Sequence, residues 1–109
     1  MSNNFDIKRG SVTFRLPEEK VDWSDGQARP FMSLDNQGNS ILILKDSDNA
    51  FKIFHVYLGK GRTDLVWSEA ASLDSSKPHF FAVTWDTETE KKIKLYVDGK
   101  LKEEANTEY

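Results

Sequence analysis

Apolar and polar residues alternate along most of this chain, in short segments separated by turn residues. In residues 11–16, Val12, Phe14 and Leu16 alternate with Ser, Thr and Arg, which predicts an antiparallel strand with one buried and one exposed face. Pro17 ends this strand because proline has no backbone N–H to donate to a ladder. The same reasoning predicts further strands over residues 31–34, 41–44, 51–58, 65–68, 80–85 and 93–97, and from Leu101 onward.

The clearest pattern lies in residues 77–102. The run FFAVTW is aromatic and β-branched, and in the next strand Ile93, Leu95 and Val97 alternate with polar positions. The pair Asp98-Gly99 is typical of a two-residue hairpin turn. No window has sustained helical periodicity beyond one short turn at residues 69–71. The sequence therefore predicts an all-β fold, an antiparallel β-sandwich with a jelly-roll-like arrangement.

The inward face of residues 51–58 is less clear from the pattern. The set Phe54, Val56 and Leu58 is the more apolar of the two alternating sets, so it is predicted to point inward. His55 and Tyr57 are then predicted to point outward.

Composition restricts the class of protein. A length of 109 residues predicts one domain over residues 1–109, with residues 1–4 disordered. A net charge of -3 disfavours a nucleic-acid partner. The absence of cysteine excludes disulfides and thiolate metal sites. No apolar run is long enough to span a membrane.

The second half of the chain resembles a known group. The sequence from Leu95 to Lys100, LYVDGK, follows a strand that ends in Trp85 and Asp86, and His79 precedes that strand. This arrangement resembles laminin-G-like and pentraxin-like domains of the concanavalin A-like lectin and glucanase superfamily. The resemblance implies a concanavalin A-like sandwich and an extracellular location, and it leaves the ligand open because the superfamily includes lectins, enzymes and adhesion modules.

Aromatic and polar side chains predict a carbohydrate site. Sugar rings stack on aromatic faces, and directional polar groups bind their hydroxyls. Trp85 is predicted to be core because it alternates with Phe81 and Val83. The predicted ligand residues are those in loops or on polar strand faces: Trp23, Trp67, Tyr57, Tyr96, Arg15, Lys94 and His55.

Two further chemistries are open. Asp46, Asp48 and Asn49 form an oxygen-rich turn that could bind calcium, although the same residues are typical of any tight turn. Asp86, Glu88 and Glu90 alternate as glycosidase carboxylates can, but a turn is expected there, where no carboxyl would hold a raised pKa.

The leading hypothesis is therefore a non-catalytic, lectin-like module that binds a glycan on a concave sheet face. The alternative is a protein-interaction or self-assembly domain without a small ligand, and a glycoside hydrolase is the least favoured function. Members of the resembling group usually run longer, so this chain is expected either to be a minimal version of the fold or to have an unpaired sheet edge whose partner strand another subunit supplies. An unpaired edge favours association, and a homo-oligomer is expected.

Overall fold

The computed structural model describes residues 6–107 and 109, so the disorder predicted for residues 1–4 lies outside the described residues. In the described part, eight strands alternate with turns: β1 (Arg9–Leu16), β2 (Arg29–Asn36), β3 (Asn39–Lys45), β4 (Phe51–Tyr57), β5 (Gly61–Trp67), β6 (His79–Asp86), β7 (Lys92–Val97) and β8 (Lys100–Asn106). One turn of 3-10 helix, Ala70–Ser72, lies between β5 and β6. No helix among these residues is long and apolar enough to cross a membrane.

The strands form two antiparallel sheets. Sheet A has the order β1-β6-β7-β8, and sheet B has the order β2-β3-β4-β5. Sheet B is a continuous meander, whereas in sheet A β6 returns to pair with β1 along its whole length. Asp98 and Gly99 adopt φ angles of 52° and 82°, as a tight hairpin between β7 and β8 requires. The predicted all-β antiparallel sandwich is confirmed.

Aromatic rings from both sheets meet in the core. Phe51 of sheet B stacks on Phe81 of sheet A, with ring centroids 5.2 Å apart and an interplanar angle of 5°. Phe14 stacks on the same Phe81 at 5.1 Å. Trp85 is 3% exposed, which confirms its predicted place in the core. Burial of these large side chains supplies most of the favourable free energy of folding.

The predicted orientation of β4 is wrong. Phe51, Ile53 and His55 are fully buried, whereas Phe54 is half-buried on the outer face and Leu58 is 63% exposed. Strand alternation places residues 51, 53 and 55 on one face, and the two apolar members fix that face inward. A histidine can follow them into the core only if both ring nitrogens find hydrogen-bond partners.

His55 finds those partners near both ends of the chain. Its Nε2 donates to the carbonyl of Ile7 at 2.9 Å. The hydroxyl of Tyr109 lies 2.9 Å from Nδ1 and 3.1 Å from the His55 carbonyl oxygen, so its single proton is shared between these two acceptors. A carbonyl can only accept, so the neutral ring carries its proton on Nε2. Burial lowers the pKa of His55, against the smaller opposing effect of the Ile7 carbonyl. A neutral imidazole therefore ties both segments to sheet B.

The loop of residues 17–28 is fixed over the other end of the sandwich by a buried ion pair. The Nζ of Lys45, a residue with no exposed surface, lies 2.6 Å from Asp25 Oδ1. Arg29 binds the other carboxylate oxygen of Asp25 at 2.9 Å. Hydrogen bonds from Lys45, the Gln27 N–H and Arg29 hold the pKa of Asp25 far below its ordinary range. The loop is thus positioned by charge.

Candidate functional site

The outer face of sheet A arranges side chains in regular rows. Thr13 of β1, Ala82 of β6 and Tyr96 of β7 are cross-strand neighbours in one row. In the adjoining row Arg15 lies opposite Phe80. Cross-strand neighbours on one face are close enough to act on a single ligand.

A shallow cleft opens in these rows, with a volume of about 520 Å³. The small side chain of Ala82 forms its floor between the larger Phe80 and Tyr96, and Gly99 lies at its rim. Ligand pockets commonly have this size and combine apolar walls with a few polar groups. The residues lining the cleft include Thr13, Arg15, Phe80, Ala82, Tyr96 and Gly99.

Phe80 and Arg15 form the exposed wall of the cleft. Phe80 is 57% exposed, which is unusual for so large an apolar side chain. The guanidinium carbon of Arg15 lies 5.7 Å from the centre of the Phe80 ring, within cation–π distance. Arg15 also lies 3.8 Å from Glu18, and its side chain is 49% exposed. The wall therefore offers an aromatic face beside hydrogen-bond donors.

Asp98 fixes the position of this wall. Its Oδ1 accepts the backbone N–H of Phe80 at 2.9 Å, and its Oδ2 lies 2.8 Å from Nδ1 of His79. Partial burial opposes ionisation of Asp98, but the hydrogen bonds from His79 and the Phe80 N–H outweigh it and lower its pKa. The β7–β8 turn is thereby fastened to the start of β6.

Three of the predicted ligand residues lie on this face. Arg15 and Tyr96 line the cleft. Lys94 lies one row farther along β7, opposite Thr84, where its Nζ donates to Glu90 Oε2 at 2.6 Å. The prediction therefore found one side of the cleft and a charged residue near it.

Trp23 and Trp67, two of the predicted ligand residues, lie in the core. Trp23 is 2% exposed, because the charge-fixed loop carries it inward, where its ring lies 5.6 Å from that of Phe81. Trp67 is 5% exposed and shares the inward face of β5 with Leu65. Neither indole can stack on a ligand in solution.

The remaining two predicted residues do not join the cleft. His55 is fully buried, so its predicted outward position is wrong. Tyr57 lies at the end of β4 in sheet B, half-buried, with its ring 5.5 Å from that of Tyr109. Both residues point to the inner side of sheet B, whereas the cleft lies on the outer face of sheet A. The predicted ligand residues therefore do not share one sheet.

A lysine lies against the carboxylates of the oxygen-rich turn. The Lys52 ammonium lies 2.9 Å from Asp46 and 3.1 Å from Asp48, so a lysine cation already bridges both carboxylates. The side-chain oxygen of Asn49 accepts from the Gly26 N–H at 2.8 Å. Among residues 6–107 and 109, no group of three or more His, Cys, Asp or Glu side chains could hold a metal ion.

Of the alternating carboxylates, Asp86 ends β6, and Glu88 and Glu90 lie in the turn that follows. Oδ1 of Asp86 accepts the N–H groups of Thr89 and Glu88, each at 2.9 Å, and these bonds lower the pKa of Asp86. Glu90 is exposed and pairs with Lys94. A general acid needs a raised pKa, so Asp86 has the opposite perturbation.

Phe80 is the aromatic residue of the cleft that the sequence-based prediction omitted. The alternation that places Phe81 and Val83 inward also places Phe80 and Ala82 outward. An aromatic residue on the outer face of a strand was therefore recognisable from parity alone.

The comparison with protein families agrees with this architecture. A family model of the laminin-G-like type, described as the concanavalin A-like lectin/glucanases superfamily, matches residues 17–109, which include β2 to β8. No curated protein and no solved structure shows significant similarity to the chain. The resemblance noted at Trp85 and LYVDGK is confirmed. The chain belongs to the concanavalin A-like lectin/glucanases superfamily.

Proposed function

We propose that this chain is a non-catalytic carbohydrate-binding module whose ligand occupies the cleft on the outer face of sheet A. The family supports a carbohydrate- or protein-binding module in general. The single observation that favours a sugar is the exposed ring of Phe80 beside Tyr96 and Arg15, in one cleft of about 520 Å³.

The arrangement suits a pyranose ring. The flat C–H face of the sugar packs on Phe80, while its hydroxyls bind the guanidinium of Arg15 and the hydroxyls of Thr13 and Tyr96. Lys94 lies two residues before Tyr96 on the same face of β7, about 7 Å from it. In this proposal Lys94 contacts a second sugar unit.

The contacts of Asp86 and Glu90 favour binding over catalysis as the function of the chain. Oδ1 of Asp86 already accepts hydrogen bonds from two backbone N–H groups, and Glu90 pairs with Lys94. Binding is also expected to be independent of calcium, because Lys52 already occupies the oxygen-rich turn.

A glycan-array screen tests this function. The wild-type chain should bind one coherent class of sugars, equally with calcium and with a chelator. The double variant Arg15→Ala, Tyr96→Ala should lose that binding, whereas Leu58→Ala, at a 63% exposed position after β4, should keep it. A silent array would contradict the proposal and favour a protein ligand. Full binding by the double variant would contradict the assignment of the sugar site to this cleft.

A further inference from the structure

One side of the sandwich is less well closed than the rest. The inward residues of the central strands are fully buried, as Val83, Leu95 and Ile53 show with 0% exposure. On the neighbouring edge strands β1 and β2, the inward apolar residues are only half-buried. We call this set the β1–β2 seam: Val12, Phe14, Leu16, Phe31, Met32 and Leu34.

The opposite side of the sandwich is more closed. There β5 and β8 lie against each other. Leu65 of β5 and Thr107, which follows β8, are each 1% exposed, whereas Ala105 of β8 is half-buried. At the β1–β2 seam, by contrast, a groove of about 360 Å³ opens between Leu16 and Phe31. Exposed apolar surface that is continuous with the core marks a place where another surface packs.

The four edge strands differ in their protection against pairing. In β2, Pro30 lacks a backbone N–H, and the register with β3 shifts directly after it. In β8, the register with β7 shifts opposite Leu95 and Tyr96. β5 lies against β8 and begins at Gly61, on which the ring of Tyr109 packs. Among the described strands, these three edges are interrupted or covered.

β1 has none of these features. Its register with β6 runs without a shift from Arg9 to Leu16, and it contains no proline. Its inward positions at Val12, Phe14 and Leu16 carry no charge. Such an edge presents a straight row of backbone N–H and C=O groups to a further strand.

We propose that two copies of this chain associate through antiparallel pairing of their β1 strands about a two-fold axis at Thr13. Residues that lie opposite each other in an antiparallel pair point to the same face of the sheet. The inward residues of one β1 strand therefore lie opposite the inward residues of the other only if the two-fold axis passes through a residue and not between two residues. An axis at Val12 would oppose Arg9 and Arg15, which have like charges. An axis at Phe14 would shorten the paired stretch.

The axis at Thr13 pairs residues 10–16 and avoids these conflicts. It places Ser11 opposite Arg15 and Val12 opposite Phe14 of the other copy, so the half-buried residues of β1 cover each other. The interface is self-complementary, as a two-fold dimer requires.

The contact area fits a weak dimer. The paired stretch of residues 10–16 is about 23 Å long. The molecule is 23 Å across its thinnest dimension, so the edge offers at most about 530 Å² per copy. The total of about 1,100 Å² lies just below the range for stable, specific interfaces and within that for weak ones. The dimer should therefore dissociate on dilution.

The dimer goes beyond the proposed sugar binding and does not depend on it. It would join two copies of sheet A into one eight-stranded sheet, with Thr13 and Arg15 of both clefts beside the axis. A ligand with repeated units could then bind both clefts at once.

Sedimentation velocity over a wide concentration range, without any glycan, tests the dimer. We expect a reversible species of about 25 kDa, twice the 12.5 kDa of one chain. Val12→Lys should shift the equilibrium to monomer, because it places a charge at the seam. Val66→Lys, on β5 at a 44% exposed position, is the matched control and should leave the dimer intact.

A cross-link provides a second test that holds even if Val12→Lys fails to fold. The chain has no cysteine, so Thr13→Cys introduces a single thiol at the axis. With a short bis-maleimide reagent it should form a covalently linked dimer, since opposite Cβ atoms lie about 5 Å apart, and Val66→Cys should not.

Three results would overturn the dimer. One is a chain that is monomeric at every concentration, with β1 amides that resist hydrogen exchange. Another is a monomer whose β1 amides exchange rapidly. The third is a dimer that cross-links at Val66→Cys and not at Thr13→Cys.

Discussion

Replacement of Phe80 by alanine should weaken sugar binding by about tenfold in Kd, and the structure supplies the magnitude. An aromatic side chain offers about 200 Å² of surface, and Phe80 is 57% exposed, so about 110 Å² is available to a ligand. A sugar that covers half of this surface removes about 55 Å² from water. At about 25 cal/mol per Å², this burial is worth about 1.4 kcal/mol, or tenfold in Kd.

The assay is isothermal titration of the wild-type chain and of Phe80→Ala with a sugar identified on the array. Leu58→Ala is the matched control, because it removes a similar exposed apolar side chain outside the cleft. Phe80→Ala should leave stability within about 1 kcal/mol of the wild type, since only surface contacts such as the Arg15 cation–π pair are lost. A change in Kd below about twofold, or an equal loss in Leu58→Ala, would refute stacking on Phe80.

Three further predictions concern stability. Asp25→Asn should lower the urea midpoint more than Lys45→Met does, because only Asp25→Asn leaves the buried ammonium of Lys45 without its carboxylate. Equal decreases in the two midpoints would contradict the role of that ion pair. The pKa of His55 is lowered in the folded state, so the unfolded chain binds a proton at a higher pH than the folded chain does. The free energy of unfolding should therefore fall as pH drops below about 6.5, and its slope against pH should be shallower in His55→Gln. Identical slopes would count against a neutral buried ring. Gly10→Ala should lower the free energy of unfolding by about 1–3 kcal/mol, because the added Cβ would lie 2.7 Å from Trp85. An unchanged thermal midpoint would mean that the Trp85 indole moves aside without cost.

The architecture was largely predictable because strand alternation is a local property. The faces of β1, β6 and β7 follow from parity, and parity is what brings Arg15 and Tyr96 to one face once β6 is placed between their strands. The same parity accounts for the buried Trp67, which lies two positions after Leu65.

The errors arise where a distant residue decides the outcome. His55 turns inward because it meets Ile7 and Tyr109, which are 48 and 54 positions away. Trp23 is buried because a charge pair 20 positions apart, Asp25 with Lys45, holds its loop over the core. No local pattern contains those contacts, so a polar residue and a loop aromatic were assigned to the surface.

The most direct test of the proposed site is an amide NMR titration of the wild-type chain with the best sugar from the array. The account predicts that saturable shifts are confined to β1, β6, β7 and the turn at Gly99, with the largest at Phe80, Ala82 and Tyr96. Shifts centred on the outer face of sheet B, at Leu42 and Phe54, or no saturable shift at all, would contradict the assignment of this cleft as a carbohydrate site.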